Sequence, residues 1–431
     1  MNARADVGTS ALEAVSRSLP DSTLTVEQAR SSILSQVRPL AGFERVSLRH
    51  ALGRVLAEDV VASIDVPAYQ NAAVDGFALS SETLPECGGN RLRIVGTSLA
   101  GHRWESVVSR GECARVMTGA ALPGGCDTVV PHEACRLDGE HVLIDPGRVK
   151  PGDNVRQRGE DLQAGRPALR AGAVLRPAHL GLMGSLGRCD VTVHPRLRAA
   201  FLSTGDELRS IGEPLDEGCV FDSNRHSLWG MLDRLGCEAV DLGMVRDDPL
   251  ALEAALISAC ECADVVITTG GVGGGAADHL RDVLTRLGEV SFWRIAMRPG
   301  RPLAFGRILL KPSHSTLVFG LPGNPVATMV AFYMIVRDAL LRIMGANPKP
   351  VPLMRVRAME PLSKLPGRVE YQRGVLDMLQ GGEWGVRTTG PQGSGVLRSM
   401  SEADGLIVLE AARGRIEAGE FVGFLSFDGL A

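Results

Sequence analysis

Apolar and polar positions change rhythm several times along the chain. From Val26 the segment TVEQARSSILSQV repeats at helical spacing, with Thr25 as a candidate cap and Gln28 three positions on, the spacing of a capping box. LRHALGRVLAEDV extends the helical period to about Val61, until DVPAYQNAAVDGFAL breaks it at Pro67 and Asp75-Gly76. From about Gly76 to Asp145, short runs such as RLRIVGTSL, ECARVMTG, DTVVPHEA and HVLIDP are separated by turn residues, which predicts a small β domain. The polar segment GDNVRQRGEDLQAG leaves it, and LRPAHLGLMGSLG is helical again. The β unit is therefore predicted to be inserted between two halves of an elongated helical piece.

From Leu197 to about Met344 strand and helix patterns alternate. LRAAFLST, EAVDLGMV, ADVVITTG, VSFWRIAM, PLAFGRIL and STLVFGLP read as strands, with helical segments between the first four and a long helix over Val326–Met344. This predicts an α/β layered domain with a mostly parallel sheet, whose ligands bind at strand carboxyl ends. After the Pro-rich GANPKPVP, short strands return and predict a barrel-like C-terminal β domain. The division expected is a mobile leader (1–25), an elongated N-terminal domain (26–64 plus 150–193), an inserted β domain (65–149), the α/β domain (194–346) and the C-terminal β domain (352–428).

A chain of 431 residues, 45% of them hydrophobic, buries a sizeable core in several domains. Lys and Arg number 46 against 50 Asp and Glu, and aromatics are only 4%, which argues against a nucleic-acid partner. The nine cysteines are odd in number, with no CxxC, and the Cys260/Cys262 pair has no second pair to complete a zinc site. They read as free thiols of a reducing cytosol. The first residues contain no apolar run of signal length, and VATMVAFYMIV is roughly half a membrane span. A cytoplasmic protein without a membrane partner is expected.

The candidate chemistry begins at VVITTGGVGGGAADHL, residues 265–280. Gly271 to Ala276 fits a loose dinucleotide fingerprint, but it follows the third strand of its domain, not the first, and Glu289 precedes the next strand instead of ending it. The better reading is an anion cradle, with Gly270, Gly271 and Gly273 presenting backbone N–H groups at a helix start. Alone, Asp278 is an ordinary acid of a first helical turn. It is not alone, because FLSTGDEL, MVRDDP, MRPGRP and LPGNP also sit at strand ends of this domain. Glu207, Asp247 and Asp278 would repel unless a cation joins them, and Mg²⁺ suits a few carboxylates plus phosphate oxygens. Arg298 and Arg301 supply bidentate positive charge for an oxyanion. The set points to phosphate-ester chemistry. Asp75, Thr118, Glu160, Asp161, Arg373 and Ser394 lie in loops of similar character elsewhere.

In the same order, DVPAYQNAAVDGFAL, RVMTGAALPGGCDTVV, RQRGEDLQAG, FLSTGDEL, DSNRHSL, LGMVRDDP, VVITTGGVGGGAAD, FWRIAMRPGRP, GLPGNP, YQRGVL and GPQGSG resemble the molybdopterin molybdenumtransferases, the MoeA/gephyrin E-domain family, from about residue 26 to 427. The resemblance implies homodimers of elongated four-domain subunits, with a central domain of molybdopterin-binding type and the active site at the subunit interface. It implies insertion of molybdate into adenylylated molybdopterin with release of AMP, assisted by Mg²⁺, and contact with the molybdopterin adenylyltransferase. By motif, Asp75, Thr118, Asp161, Glu207, Asp247 and Asp278 match the family's functional positions. Arg373 and Ser394 match positions that help hold molybdate.

The chain departs from the family pattern around this site. Gln70, Ala72 and Val74 replace an acid, a serine and a methionine in the loop before Asp75, and the glycine loop lacks the family's serine and tyrosine. Arg294, Arg298 and Arg301 stand for lysines, and Ala327 for a serine. Guanidinium keeps the charge but is bulkier and binds a tetrahedral oxyanion bidentately. Two readings follow. One is the molybdenum-inserting enzyme; the other is a non-catalytic relative that binds the pterin cofactor or scaffolds partners.

Overall fold

A computed structural model of the chain describes residues 23–85, 88–273, 279–311 and 314–430. The expected leader therefore lies outside the described residues, apart from its last three. The chain divides into two compact units, one comprising residues up to Glu44, Gly53–Ala57 and Val193 onward, the other Arg45–Leu52 and Glu58–Thr192.

The first unit begins with strand β1 (Thr23–Leu24) and helix α1 (Val26–Gln36). The capping box forms as the sequence predicts. The Gln28 amide donates to Thr25 Oγ1 at 3.1 Å, and the Thr25 amide donates to Gln28 Oε1 at 2.9 Å. The helical period does not continue to Val61. Only a single 3₁₀ turn forms at Leu48–Ala51, after which Gly53 takes φ 74°. A left-handed residue there ends any helix that the apolar spacing alone allows.

The second unit carries a six-stranded sheet built from β2 (Gly76–Leu79), β3 (Asn90–Ser98), β4 (Glu112–Val116), β5 (Thr128–Pro131), β6 (Cys135–Asp138) and β7 (His141–Ile144). Its order is β5-β2-β4-β3-β7-β6, around a core of Phe77, Leu92, Val130, Val142 and Ile144. Helix α2 (Pro177–Ser185) follows in the same unit.

The large sheet of the first unit comprises β1, β8 (Arg198–Thr204), β9 (Glu238–Val245), β10 (Val265–Thr269), β11 (Gly288–Ile295), β13 (Pro302–Lys311) and β14 (His314–Leu321); the short strand β12 (Met297–Arg298) lies between β11 and β13 in the chain. Its order is β1-β11-β13-β14-β10-β8-β9. Strands β9, β8, β10 and β14 pair in parallel, and β13 turns back antiparallel between β14 and β11. Alternation along the strands sorts side chains onto two faces. Phe201, Ile267 and Phe319 pack with α1, with α3 (Asn224–Arg234) and with the long helix formed by α6 (Pro325–Ala331), a π turn and α7 (Arg337–Ile343). Leu202, Val266 and Val318 pack with α4 (Pro249–Cys262) and α5 (His279–Leu287) on the other face. Ala29 and Ile33 of α1 are fully buried in the first of these cores. The helix at 26–36 thus packs against the α/β layer.

The C-terminal strands β15 (Met354–Ala358), β16 (Val369–Met378), β17 (Trp384–Thr388), β18 (Gly405–Leu409) and β19 (Phe421–Ser426) close into a five-stranded barrel, since β16 pairs with both β17 and β18. No helix among the described residues is long and apolar enough to cross a membrane.

Phe319 is fully buried between the sheet and its helices. Phe319→Ala is expected to cost about 3–5 kcal/mol in urea unfolding followed by tryptophan fluorescence. Thr25→Ala, which removes one cap, is expected to cost about 1 kcal/mol in the same experiment.

Candidate functional site

The parallel strands deliver their carboxyl ends to one edge of the large sheet, and the loops leaving that edge line a cleft of about 850 Å³. In sheet order these are Asp247 after β9, Gly205, Glu207 and Leu208 after β8, Gly270 to Gly273 after β10, Pro322 to Pro325 after β14, and Met297 to Pro302 between β11 and β13. At about 4.8 Å per strand, the β8 end and the β11 end stand roughly 20 Å apart along the sheet edge. The cleft is thus acidic at one end, glycine-floored in the middle and basic at the other.

The floor depends on missing side chains. Gly270 has φ 92°, and a Cβ there would run into the Thr204 carbonyl oxygen. Gly271 has φ 64°, and its Cβ would come within 2.8 Å of Leu280 Cβ at the start of α5. Asn224, the first residue of α3, ties this floor to the neighbouring loop. Its Nδ2 donates to the Gly323 carbonyl at 2.7 Å and to Thr269 Oγ1 at 3.3 Å. The Thr269 hydroxyl in turn donates to Ser203 Oγ at 3.2 Å, linking the ends of β10 and β8.

On the acidic side, Glu207 folds back over Gly205. A Cβ on Gly205 would sit 2.5 Å from Glu207 Oε2. In the Asp247-Asp248 pair the two acids divide their work. Asp248 caps α4 by accepting from the Ala251 amide at 2.8 Å, and Asp247 lines the cleft with its amide donating to Asp206 Oδ1 at 3.2 Å. Asp222 is 3% exposed and also lines the cleft. Its Oδ1 accepts from the Arg225 amide at 3.3 Å, and its Oδ2 lies 3.8 Å from Arg225 Nε.

Glu207 and Asp247 leave adjacent parallel strands, Thr204 being paired with Val245. Such a donor set fits Mg²⁺, which takes one or two carboxylates and completes its shell with substrate phosphate oxygens and water. Among the described residues no three His, Cys, Asp or Glu side chains gather as a metal cage. Asp278, expected as the third acid, lies outside the described residues.

On the basic side, Arg298 and Arg301 line the cleft together with Arg368. Arg294 sits on β11 opposite Pro302 and is not among the lining residues. Ser394 lines the cleft, and its carbonyl accepts from the Val326 amide at 3.0 Å. Arg373 lies beneath that loop and is only 1% exposed. Its Nε donates to Ser399 Oγ at 2.9 Å, and its Nη2 donates to the Gly393 and Pro391 carbonyls at 3.1 and 3.4 Å. Burial pulls this guanidinium down to about 10, so it still carries its charge at neutral pH. In this fold Arg373 shapes the loop that carries Ser394.

Asp75, Thr118 and Asp161 belong to the other unit. Asp75 and Thr118, 43 positions apart, meet there. Asp75 Oδ1 accepts from the Thr118 amide at 2.6 Å and from its hydroxyl at 2.7 Å. The amide first, and then the hydroxyl, hold the Asp75 carboxyl below the usual carboxylate range. Asp161 is exposed on a segment bound to the start of the Asp75 loop, its amide donating to the Val66 carbonyl at 3.0 Å. Gln70 Nε2 donates to Gln157 Oε1 at 2.7 Å, a second tie between the two segments.

Sequence reasoning missed Asp222, Asn224, Thr269 and Arg368. DSN before a helix reads as a capping signal, yet Ser223 makes no side-chain cap bond and its neighbours face the cleft. The spacing of Asn224 from GLPGN gave no hint that they touch. Arg368 precedes a barrel strand and looks like an ordinary surface cation.

Residues 24–187 match the MoeA N-terminal region (domain I and II), residues 200–342 a probable molybdopterin binding domain, and residues 355–427 the MoeA C-terminal region (domain IV). The chain is 37% identical to a molybdopterin molybdenumtransferase of Haemophilus influenzae, over 94% of this chain and 99% of that one. It is 33% identical to one from Nostoc sp., over 88% and 87% of the two chains. It is 30% identical to gephyrin of Dictyostelium discoideum, over 92% of this chain and 61% of that one. A molybdopterin biosynthesis protein moeA of Pyrococcus horikoshii superposes with a TM-score of 0.78 at 26% identity, covering 94% of this chain and 100% of that one. Matched across its N-terminal, central and C-terminal regions, the chain belongs to the MoeA family of molybdopterin molybdenumtransferases.

Proposed function

We propose that this chain is the transferase of molybdenum cofactor biosynthesis that inserts molybdate into adenylylated molybdopterin and releases AMP. The observation carrying this reading is the division of the cleft into an acidic end, a glycine floor and an arginine end along one sheet edge. A phosphoanhydride joined to a pterin is long and offers phosphate at one place and a dithiolene at another. The cleft matches it with different chemistry at each end.

Gly270, Gly271 and Gly273 let backbone approach the phosphate closely. Glu207 and Asp247 would hold Mg²⁺, with Asp278 as the proposed third acid; the ion supplies charge neutralisation at the anhydride phosphorus. Arg298 and Arg301 hold the molybdate oxyanion, beside the Ser394 hydroxyl. The Asn224 bonds to Gly323 and Thr269 keep the two central loops in register while substrate binds. Catalysis rests on positioning and charge, and no covalent nucleophile takes part. Asp75, Thr118 and Asp161 are proposed as catalytic positions on the resemblance, and Arg294 as a substrate-binding one. A cytoplasmic homodimer, with the active site at the subunit interface and contact with the adenylyltransferase, completes the proposal.

AMP release from adenylylated molybdopterin, with and without molybdate, tests the reading. Asp247→Ala and Arg298→Ala are each expected to slow release at least tenfold, about 1.4 kcal/mol of transition-state stabilisation. Unimpaired turnover in both variants rules the site out. Tight binding with no release in the wild-type chain selects the cofactor-binding role instead.

The Asp75–Thr118 contact yields a second test. A carboxyl held low contributes to folding while ionised, and that contribution disappears as pH falls through its depressed pKa. Thr118→Val keeps the amide bond but deletes the hydroxyl, so the Asp75 pKa is expected to rise towards the ordinary range in a carbon-detected NMR titration. An unmoved pKa means the hydroxyl does not contribute.

A further inference from the structure

The MRPGRP loop is shared between two sheets. Its first residues form β12, which pairs in parallel with barrel strand β16, Met297 opposite Val369 and Arg298 opposite Glu370. Its last residue opens β13 of the large sheet. The Ile295 amide donates to the Arg301 carbonyl at 2.7 Å and closes the loop at its base. The backbone under Arg298 is therefore fixed by the barrel, while its side chain remains 56% exposed at the cleft.

The residue paired with it is a buried carboxylate. The Glu370 side chain is 9% exposed, and Oε1 accepts from Gln372 Nε2 at 2.9 Å. Its Oε2 faces Arg298 Nη1 at 3.8 Å. Two buried cations also feel this carboxylate, Arg373 and Lys364. The Lys364 ammonium is spent on the carbonyls of Arg413, Leu365 and Ala411 at 2.8, 3.1 and 3.3 Å. Arg373 and Arg298 repel one another. A buried acid that faces Arg298 at 3.8 Å and also attracts Arg373 offsets that repulsion and gives the exposed guanidinium a preferred direction.

We propose that Glu370 is a positioning residue for the oxyanion end of the cleft, holding Arg298 at the wall against the field of Arg373. The proposal rests on the functional reading above. Losing Glu370 has two opposed effects on an anionic substrate. One negative charge fewer strengthens attraction for molybdate, while an untethered Arg298 loses its alignment with the reacting group.

Glu370→Gln keeps the acceptor for Gln372 and removes the charge. It is expected to lower kcat for AMP release five- to tenfold while KM for molybdate stays level or falls, a split that general loosening of the fold does not produce. Glu370→Asp keeps the charge beside Lys364 and Arg373 but shortens the reach to Arg298, and it is expected to lower kcat similarly without altering Tm. In an Arg298→Ala background neither change is expected to slow turnover further. Undiminished effects in that background, or wild-type kinetics for both single variants, overturn the proposal. A wild-type chain that neither binds molybdate by calorimetry nor releases AMP overturns instead the functional reading beneath it.

Discussion

Parallel pairing of β9, β8, β10 and β14 sends all four carboxyl ends to the same edge of the sheet. Helices cover both faces, since each parallel strand needs a crossover to return the chain to its start. Only the two edges across the strand ends remain for loops, and one of them collects every turn that leaves a strand. Residues from positions 205, 247, 270 and 323 thereby become neighbours without any local signal between them. Phe201, Ile267 and Phe319 stand opposite one another across β8, β10 and β14, and this register brings the three loops out level with one another.

That geometry also keeps opposite charges apart. Had the carboxylates of Glu207 and Asp247 stood next to Arg298 and Arg301, they would have formed ion pairs and left little field for a ligand. Instead the glycine floor and Asn224 lie between them. Strand spacing separates the β8 and β11 ends by roughly 20 Å, beyond the screening length of about 8 Å at physiological salt. Each end keeps its own sign, so a substrate with unlike groups at its two ends has a single favourable orientation. Glycine is suited to the middle because backbone N–H groups supply directional donors with no net charge to unbalance either side.

Much of this was legible from the sequence. Strand–helix alternation gave the layered domain, and the capping box at Thr25 formed as its spacing requires. The loops carrying Glu207, Asp247, Gly270 and Arg298 were grouped by one rule, that parallel strands share a carboxyl edge. The rule could not sort residues within a loop. Asp247 and Asp248 are chemically alike, and only the φ,ψ path into α4 makes the second a cap. Nor does periodicity register a left-handed glycine, so the helix read through LRHALGRVLAEDV stops at a single turn. Arg294 entered the reading through the resemblance alone, and on β11 it is not among the residues that line the cleft. Asn224 and Glu370 were missed for a related reason: each acts through a partner distant in sequence.

The two arginines near the basic end of the cleft show why residue type alone is insufficient. Arg373 uses a planar fork to reach a hydroxyl and two carbonyls at once, so its charge is buried and its donors serve the loop that bears Ser394. Lysine, a single point of three rotating donors, has no comparable reach across those three directions. Arg298 makes the opposite use of the same group. With more than half of its side chain exposed, it leans one edge towards Glu370 and leaves the remaining N–H groups facing the cleft. A guanidinium can be oriented by a carboxylate on one edge and still bind an oxyanion on another, which a lysine ammonium at the same position does less specifically. The MRPGRP loop thus sets Arg298 opposite a buried acid of the barrel and joins the barrel to the large sheet's cleft.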